Sequence, residues 1–313
     1  METLWKLNKL SKKYFIRGLT GAEEITALDS VEMEIFGGET FGVIGESGSG
    51  KTTLGKTMIR LVEPTSGEIY FKGSKITGMR EKEFIKLRRS FQIVFQDPYR
   101  ALNPRMAVGN AIMEGIREGA GRAQKKEKAG HMLELVGIAP ERIDDFPHQF
   151  SGGERQRVAV ARALSTSPSF MVCDEPTSNL DLSIQAKILN LFIELKEKLN
   201  LTYLFISHNI KIIEFIADRV AVMYAGRIAE YGSTARVLGN PLHPYTKLLV
   251  AASFFKKTET DKIPYKVEKQ GCPFSRLCPD VREICRKEKP ELMPAEEGHF
   301  VACFGFTNNF AEY

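Results

Sequence analysis

The chain has 313 residues, 43% hydrophobic and 27% charged, an ordinary globular composition with apolar material for one large domain or two modest ones. Its net charge of +5 comes from scattered basic pairs and one denser run at Lys125–Lys128, which reads as solvated surface and argues against a nucleic-acid groove. The start "METLWKLNKLSKKYF" lacks the basic leader and apolar block of a signal peptide, and no uncharged apolar run approaches the ~18 residues of a membrane span, so a cytosolic chain is expected.

In chain order, the first seventy or so residues read as strands: "SVEMEIF" alternates Val31, Met33 and Ile35 with acidic residues, and "GEIYFKG" reads as one strand of a hairpin. Between them "TFGVI" is a short buried strand, "GESGSG" a glycine-rich turn, and "KTTLGKTMIRL" a segment of helical spacing. From about Asp97 to Phe150 the chain is mostly helical, broken at Pro98, Pro104, Pro140 and Pro147. "SFMVCDEP" returns to a buried strand, "AKILNLFIELKEKL" is an amphipathic helix and "LTYLFISH" another apolar strand. Strands alternating with helices imply an α/β domain with a mostly parallel sheet covered on both faces. After Ser233 the composition shifts to proline, lysine and cysteine, which sets an expected boundary between residues 1–233 and an extension at 234–313.

Gly45, Glu46, Ser47, Gly48, Ser49, Gly50, Lys51 and Thr52, followed by Thr53, satisfy G-x-x-x-x-G-K-[ST] between a predicted strand and a predicted helix. Glycines let the backbone wrap a phosphate with its amides inward, the helix dipole favours the anion, Lys51 reaches the terminal phosphates, and the Thr52 hydroxyl can ligate Mg²⁺. Asp174 and Glu175 follow the strand "FMVC", where a parallel sheet binds ligands, so Asp174 suits Mg²⁺ and Glu175 is left to activate a water. Gln96 and His208 end two more predicted core strands. Each alone is more often structural; three strands ending in polar residues point to one edge of the sheet. Ser151, Gly152, Gly153 and Glu154 open the helix "RVAVARAL" and form a second anion site, although the first loop already cradles a nucleotide. A spare half-site is used economically in a head-to-tail dimer, each ATP lying between the first loop of one subunit and the SGGE of the other.

A phosphate loop, "SGGERQR" and "CDEP" in this order resemble the ATP-binding cassette (ABC) ATPases. The resemblance implies a P-loop NTPase core with an antiparallel β subdomain and a helical subdomain at about 97–155. Within it Gln96 is similar to the Q-loop residue, also placed at Mg²⁺, Ser178–Asp181 to the D-loop, His208 to the switch histidine, and Tyr14 to the aromatic that stacks on adenine. "VFQDPYRALNPRMAVG", "FPHQFSGGERQRVAVARAL", "CDEPTSNLDLSIQAKILNL" and "NPLHPYT" carry the likeness further, to the F-type ATPase subunits of oligopeptide and dipeptide importers. Two departures stand out: SNLD where SALD is usual, and Asn209 where aspartate commonly follows the switch histidine. The likeness implies ATP hydrolysis at the cytoplasmic face of a membrane. It also implies a second, related ATPase subunit as heterodimer partner, two membrane-spanning permease subunits and an extracytoplasmic solute-binding protein. Oligosaccharides and metal chelates are alternative solutes. A soluble ABC protein acting on DNA or ribosomes usually has two cassettes or a long coiled coil, and this chain has neither; an iron-sulfur electron carrier would not need a complete hydrolytic set.

Cys272, Cys278, Cys285 and Cys303 stand at spacings C-x5-C-x6-C-x17-C. In a reducing compartment clustered thiols lean towards metal or redox use, and four thiolates suit either iron-sulfur or zinc, though the paired C-x2-C of common zinc ribbons is missing. The similarity of this tail to that of the importer ATPases implies a 4Fe-4S cluster. Cys173, inside an apolar strand, reads as a small packed hydrophobe.

Overall fold

The computed structural model describes residues 2–18, 21–116, 121–254 and 270–306. By their contacts these form two compact units, one of Met1–Thr77 with Ile206–Tyr313 and one of Gly78–Phe205.

The first unit begins with two long strands, β1 (Thr3–Gly18) and β2 (Gly21–Phe36), paired antiparallel. The period-2 alternation seen in the sequence sets Leu7 opposite Met33 and Leu10 opposite Val31, all four buried. β3 (Thr40–Ile44) is buried along its whole length, as a strand covered on both faces must be, and runs through the glycine turn into α1 (Lys51–Met58). β4 (Ser66–Phe71) pairs with β1, bringing Trp5 opposite Phe71 with ring centroids 4.8 Å apart, and a short β5 (Ser74–Lys75) completes the four-stranded sheet.

The second unit starts with α2 (Glu81–Leu87), whose Phe84 packs on Phe91 at the head of β6 (Phe91–Val94). The proline-punctuated stretch gives α3 (Pro98–Ala101), α4 (Val108–Met113), α5 (Arg122–Leu135), 3-10 turns at Pro140–Asp144 and Pro147–Gln149, and α6 (Gly152–Leu164). β7 (Phe170–Asp174) lies parallel to β6, and its other neighbour is β8 (Thr202–Ile206). The intervening α7 (Leu182–Leu199) buries Ile188, Leu191, Phe192 and Leu195 at helical spacing, and Phe192 meets Tyr203 and Phe205 edge-on.

The chain then returns to the first unit with α8 (Ile210–Ile216), β9 (Arg219–Tyr224), which is parallel to β3, and β10 (Arg227–Ser233), which folds back on β9. Ala225 and Gly226 both take positive φ at this hairpin, as a turn matched to strand twist requires. α9 (Thr234–Gly239), α10 (Pro244–Phe254) and α11 (Glu283–Lys287) precede β11 (Met293–Glu296) and β12 (His299–Val301). β12 pairs with β10, so the cysteine-bearing segment adds two edge strands in the order β11-β12-β10-β9-β3. Asp29 of β2 clamps it: Arg227 donates to the carboxylate at 3.1 Å and Lys289 at 2.7 Å. Burial pushes that carboxyl up, but the two cations outweigh it and hold it below the ordinary range. Among the described residues no helix is long and apolar enough to cross a membrane.

Candidate functional site

In the first unit the phosphate loop joins β3 to α1. Gly50, with φ 104°, is required there: a Cβ would lie 2.4 Å from the Ala27 carbonyl oxygen. α1 starts on it without a side-chain cap hydrogen bond, and a helix start of this kind is a favourable place for an anion. Lys51 is 5% exposed and donates to the carbonyls of Gly45 at 2.7 Å and Glu46 at 2.8 Å, which seats the ammonium against the first two residues of the loop. Ser47, Gly48 and Thr52 are exposed, while Ser49 is buried with an unpartnered hydroxyl. Gly45 is buried, and Thr53 is half-buried. Burial raises the Glu46 carboxyl and Lys51 opposes the shift. A glycine-rich loop at a helix start with one seated cation has the chemistry to hold a polyphosphate.

In the second unit Asp174 ends β7 buried, and Glu175 follows it in the left-handed region at φ 47°, which costs a side chain of this kind about 1–3 kcal/mol. Gln96 joins them. Its Nε2 donates to Glu175 Oε2 at 3.3 Å and to Ser178 Oγ at 3.2 Å, and that hydroxyl donates to the Glu175 carbonyl at 3.1 Å. The expected base, Q-loop and D-loop residues therefore form one hydrogen-bonded set. Behind them Cys173 is fully buried; burial, then the Asp174 charge, pushes its thiol well up, so it packs as a neutral hydrophobe.

Ser151 caps α6 in a capping box: its Oγ accepts from the Glu154 amide at 3.3 Å, and Glu154 Oε2 accepts from the Ser151 amide at 2.8 Å. Those bonds and an ion pair with Arg142 at 2.7 Å hold the Glu154 carboxyl below its usual range. Gly153 lets α7 approach, since a Cβ would stand 2.5 Å from Ile184 Cγ2, and Gly152 is half-buried. Arg142, which also stacks on Phe150 at 3.9 Å, was not among the sequence candidates; only its spacing of twelve residues from Glu154 links them in the text.

Asp181 caps α7 by accepting from the amides of Ser183 and Ile184, and the Ile184 bond leads in holding its carboxyl down. His208 is exposed between β8 and α8, and the Asn209 side chain caps α8, its Oδ1 accepting from the Lys211 amide at 3.0 Å. Asparagine and aspartate cap equally well, so this departure leaves the local backbone unchanged. Asn179 is exposed. Tyr14 is 36% exposed on β1, with the Lys12 ammonium 5.0 Å from its ring centroid.

The four tail cysteines line one cavity of about 260 Å³ with His243 and Phe274. Each sulfur accepts from a backbone amide: Cys272 from Phe274, Cys278 from Asp280, Cys285 from Arg282 and Cys303 from Gly305. Burial, reinforced by the other three thiols, pushes Cys272 up to about 11 despite the Phe274 amide. Among the described residues no group of three or more His, Cys, Asp or Glu is placed to hold a metal ion. Burial pushes His243 down to about 4 against the opposing pull of Glu230 and the Ala302 backbone, so the ring is neutral at pH 7.

Residues 28–178 match the family described as ABC transporter, and residues 229–285 match the oligopeptide/dipeptide transporter C-terminal region. The chain is 40% identical over 316 residues to the di/tripeptide transport ATP-binding protein DppF of Pseudomonas aeruginosa, covering 97% of this chain and 98% of that one. It is 41% identical over 319 residues to the oligopeptide transport ATP-binding protein AppF of Bacillus subtilis, covering 96% and 97%. Among solved structures it resembles cbiO1 of Clostridium perfringens, part of the ABC transporter complex cbiONQ (TM-score 0.67, 29% identity, 77% of this chain and 92% of that). It also resembles a dimeric ATP-binding cassette in a post-hydrolysis state bound to ADP and Pi (TM-score 0.66, 29% identity, 74% and 99%).

Proposed function

The chain belongs to the ABC transporter family, as the ATPase subunit of an oligopeptide or dipeptide importer, and we propose that it does this work as one half of a paired ATPase. The observation that carries the pairing is the contrast between its two glycine-rich helix starts: one seats a lysine, and the other is capped by its own residues with Ser151 exposed. A dimeric structural neighbour supports the same reading. In the proposed pair Gly45 to Thr53 bind the ATP phosphates, Tyr14 stacks on adenine, and Ser151 to Glu154 of the neighbour close over the γ-phosphate. Thr52, Gln96 and Asp174 would hold Mg²⁺, which neutralises charge between the β- and γ-phosphates. Glu175 orients and deprotonates the attacking water, His208 contacts the γ-phosphate, and Asp181 communicates across the pair. The partner in this reading is a second, related ATPase, and the two dock on two permease subunits at the cytoplasmic face of the membrane, served by an extracytoplasmic solute-binding protein. Residues 1–233 form the cassette and 234–313 its extension.

We further assign the four tail cysteines to a 4Fe-4S cluster. Four thiols around one cavity, each with an amide donor to sulfur, fit such a group. When bound, the cluster would supply cross-linking among the loops that carry Cys272, Cys278, Cys285 and Cys303. Anaerobically purified chain is expected to be brown with about four irons, on the stoichiometry of the cluster, and to lose them in Cys278→Ser. A colourless preparation with one zinc per chain would overturn the assignment.

A further inference from the structure

The segment "NPLHPYT" (Asn240–Thr246) has no part in the nucleotide chemistry above, yet it is among the most tightly tied stretches of the first unit. Glu230 of β10 is fully buried, accepts from the amides of Leu242 at 2.9 Å and His243 at 2.8 Å, and stands 2.7 Å from His299 Nε2 of β12. This fixes the turn before α10. His243 Nδ1 in turn accepts from the Tyr245 amide at 3.0 Å. Tyr245 is fully buried, its ring 4.6 Å from that of Tyr224 and 5.6 Å from that of Phe274, which stands two residues after Cys272.

All of this holds one hydroxyl in place, and that hydroxyl meets the phosphate loop. The Glu46 amide donates to Tyr245 Oη at 3.0 Å. The same peptide group carries the Gly45 carbonyl, which accepts from Lys51 Nζ at 2.7 Å. One peptide plane is thus gripped from both sides, by the extension through its N–H and by the phosphate-binding lysine through its C=O. Glycine-rich turns flip such planes at little cost, because Gly45 has no Cβ to resist, so a fixed acceptor on the N–H side selects the orientation on which Lys51 is seated.

We propose that Tyr245 is a positioning residue for ATP binding, its hydroxyl setting the Gly45–Glu46 peptide plane, with Phe274 of the cysteine segment wedging it there. The proposal rests on Gly45 to Thr52 being the nucleotide site. It makes the extension a determinant of nucleotide affinity.

Tyr245→Phe keeps the ring packing and removes the hydroxyl, and with it the acceptor for the Glu46 amide. In the assembled transporter its KM for ATP should rise about fivefold, the scale of one neutral hydrogen bond, with kcat at saturating ATP within about twofold, because ground state and transition state use the loop alike. Affinity of the full-length chain for a fluorescent ATP analogue should fall by the same factor. Phe274→Leu, which keeps the bulk and loses the flat face, should move both quantities the same way by about twofold. Lys51→Ala should weaken analogue binding about 10²-fold, below detection at the concentrations that saturate the parent. If Lys51→Ala binds like the parent, the nucleotide site is elsewhere and the proposal falls with it. If Lys51→Ala fails to bind while Tyr245→Phe keeps the parental KM and affinity, the role of Tyr245 alone is overturned. A kcat loss that tracks the folded fraction at unchanged KM would also overturn it, since that is what a purely structural tyrosine gives. Should Tyr245→Phe be recovered unfolded, Phe274→Leu decides: a raised KM supports the role and an unchanged one overturns it.

Discussion

Two helices of this chain, α1 and α6, begin on glycine-rich turns, and they begin in opposite ways. α1 has no side-chain cap, and its first residue is a buried lysine folded onto the loop's own carbonyls. α6 is closed by a reciprocal Ser151–Glu154 box, braced by Arg142, with Ser151 exposed. A glycine-rich helix start with a lysine seated beside it favours a polyphosphate through the helix dipole and the ammonium charge. A self-capped start is stable alone and can wait for a phosphate brought by another molecule. In the proposed pair the first belongs to the chain's own nucleotide and the second to a neighbour's.

The largest effect should leave both helix starts intact. Glu175→Gln removes the base and should lower hydrolysis in the assembled transporter by about 10²- to 10⁴-fold while ATP binding and pairing persist. Parental turnover would detach Glu175 from the chemistry. Lys51→Ala strikes one start only: losing charge-assisted hydrogen bonds should weaken ATP binding to the isolated chain about 10²-fold, read by calorimetry, with α6 unaffected. Acid separates the two starts more gently. Glu154 sits below its unfolded value of 4.5, so its contribution is complete above that value and is lost as pH falls through the lower folded value. Amide exchange at the start of α6 should therefore quicken severalfold as the pH is taken down from 4.5, relative to Glu154→Gln, which has nothing to titrate. The smallest effect is expected for Asn209→Asp, which swaps one good cap for another: within about 0.5 kcal/mol in stability and with parental turnover. A large gain in turnover would show that Asn209 tunes hydrolysis.

Much of the candidate site could be read because its pieces are local. Gly45 to Thr52 is contiguous, and the strand before it and helix after it have periods that a short window reveals. The same holds for Ser151 to Glu154, a capping box written in four letters. What stayed hidden depends on distance along the chain. Nothing near Glu154 announces Arg142, and nothing near Glu175 announces its left-handed backbone or the hydrogen bond from Gln96, 79 residues earlier. The composition shift after Ser233 marks the extension. It does not reveal that β12 would pair with β10, or that Tyr245 would reach Glu46 across 199 residues. Antiparallel edge strands of three or four residues carry too little periodicity to be read, and a buried tyrosine hydroxyl carries none.

The comparison of the two helix starts is tested most directly by Ser151→Arg in the purified full-length chain. ATP affinity of the monomer and ATP-dependent pairing with Glu175→Gln partners would be measured side by side. The account predicts parental affinity in the monomer and loss of the nucleotide-bridged pair, because the arginine would crowd a phosphate held by another subunit. Loss of affinity in the monomer, with pairing falling only in proportion, would place SGGE in the chain's own pocket and contradict the assignment.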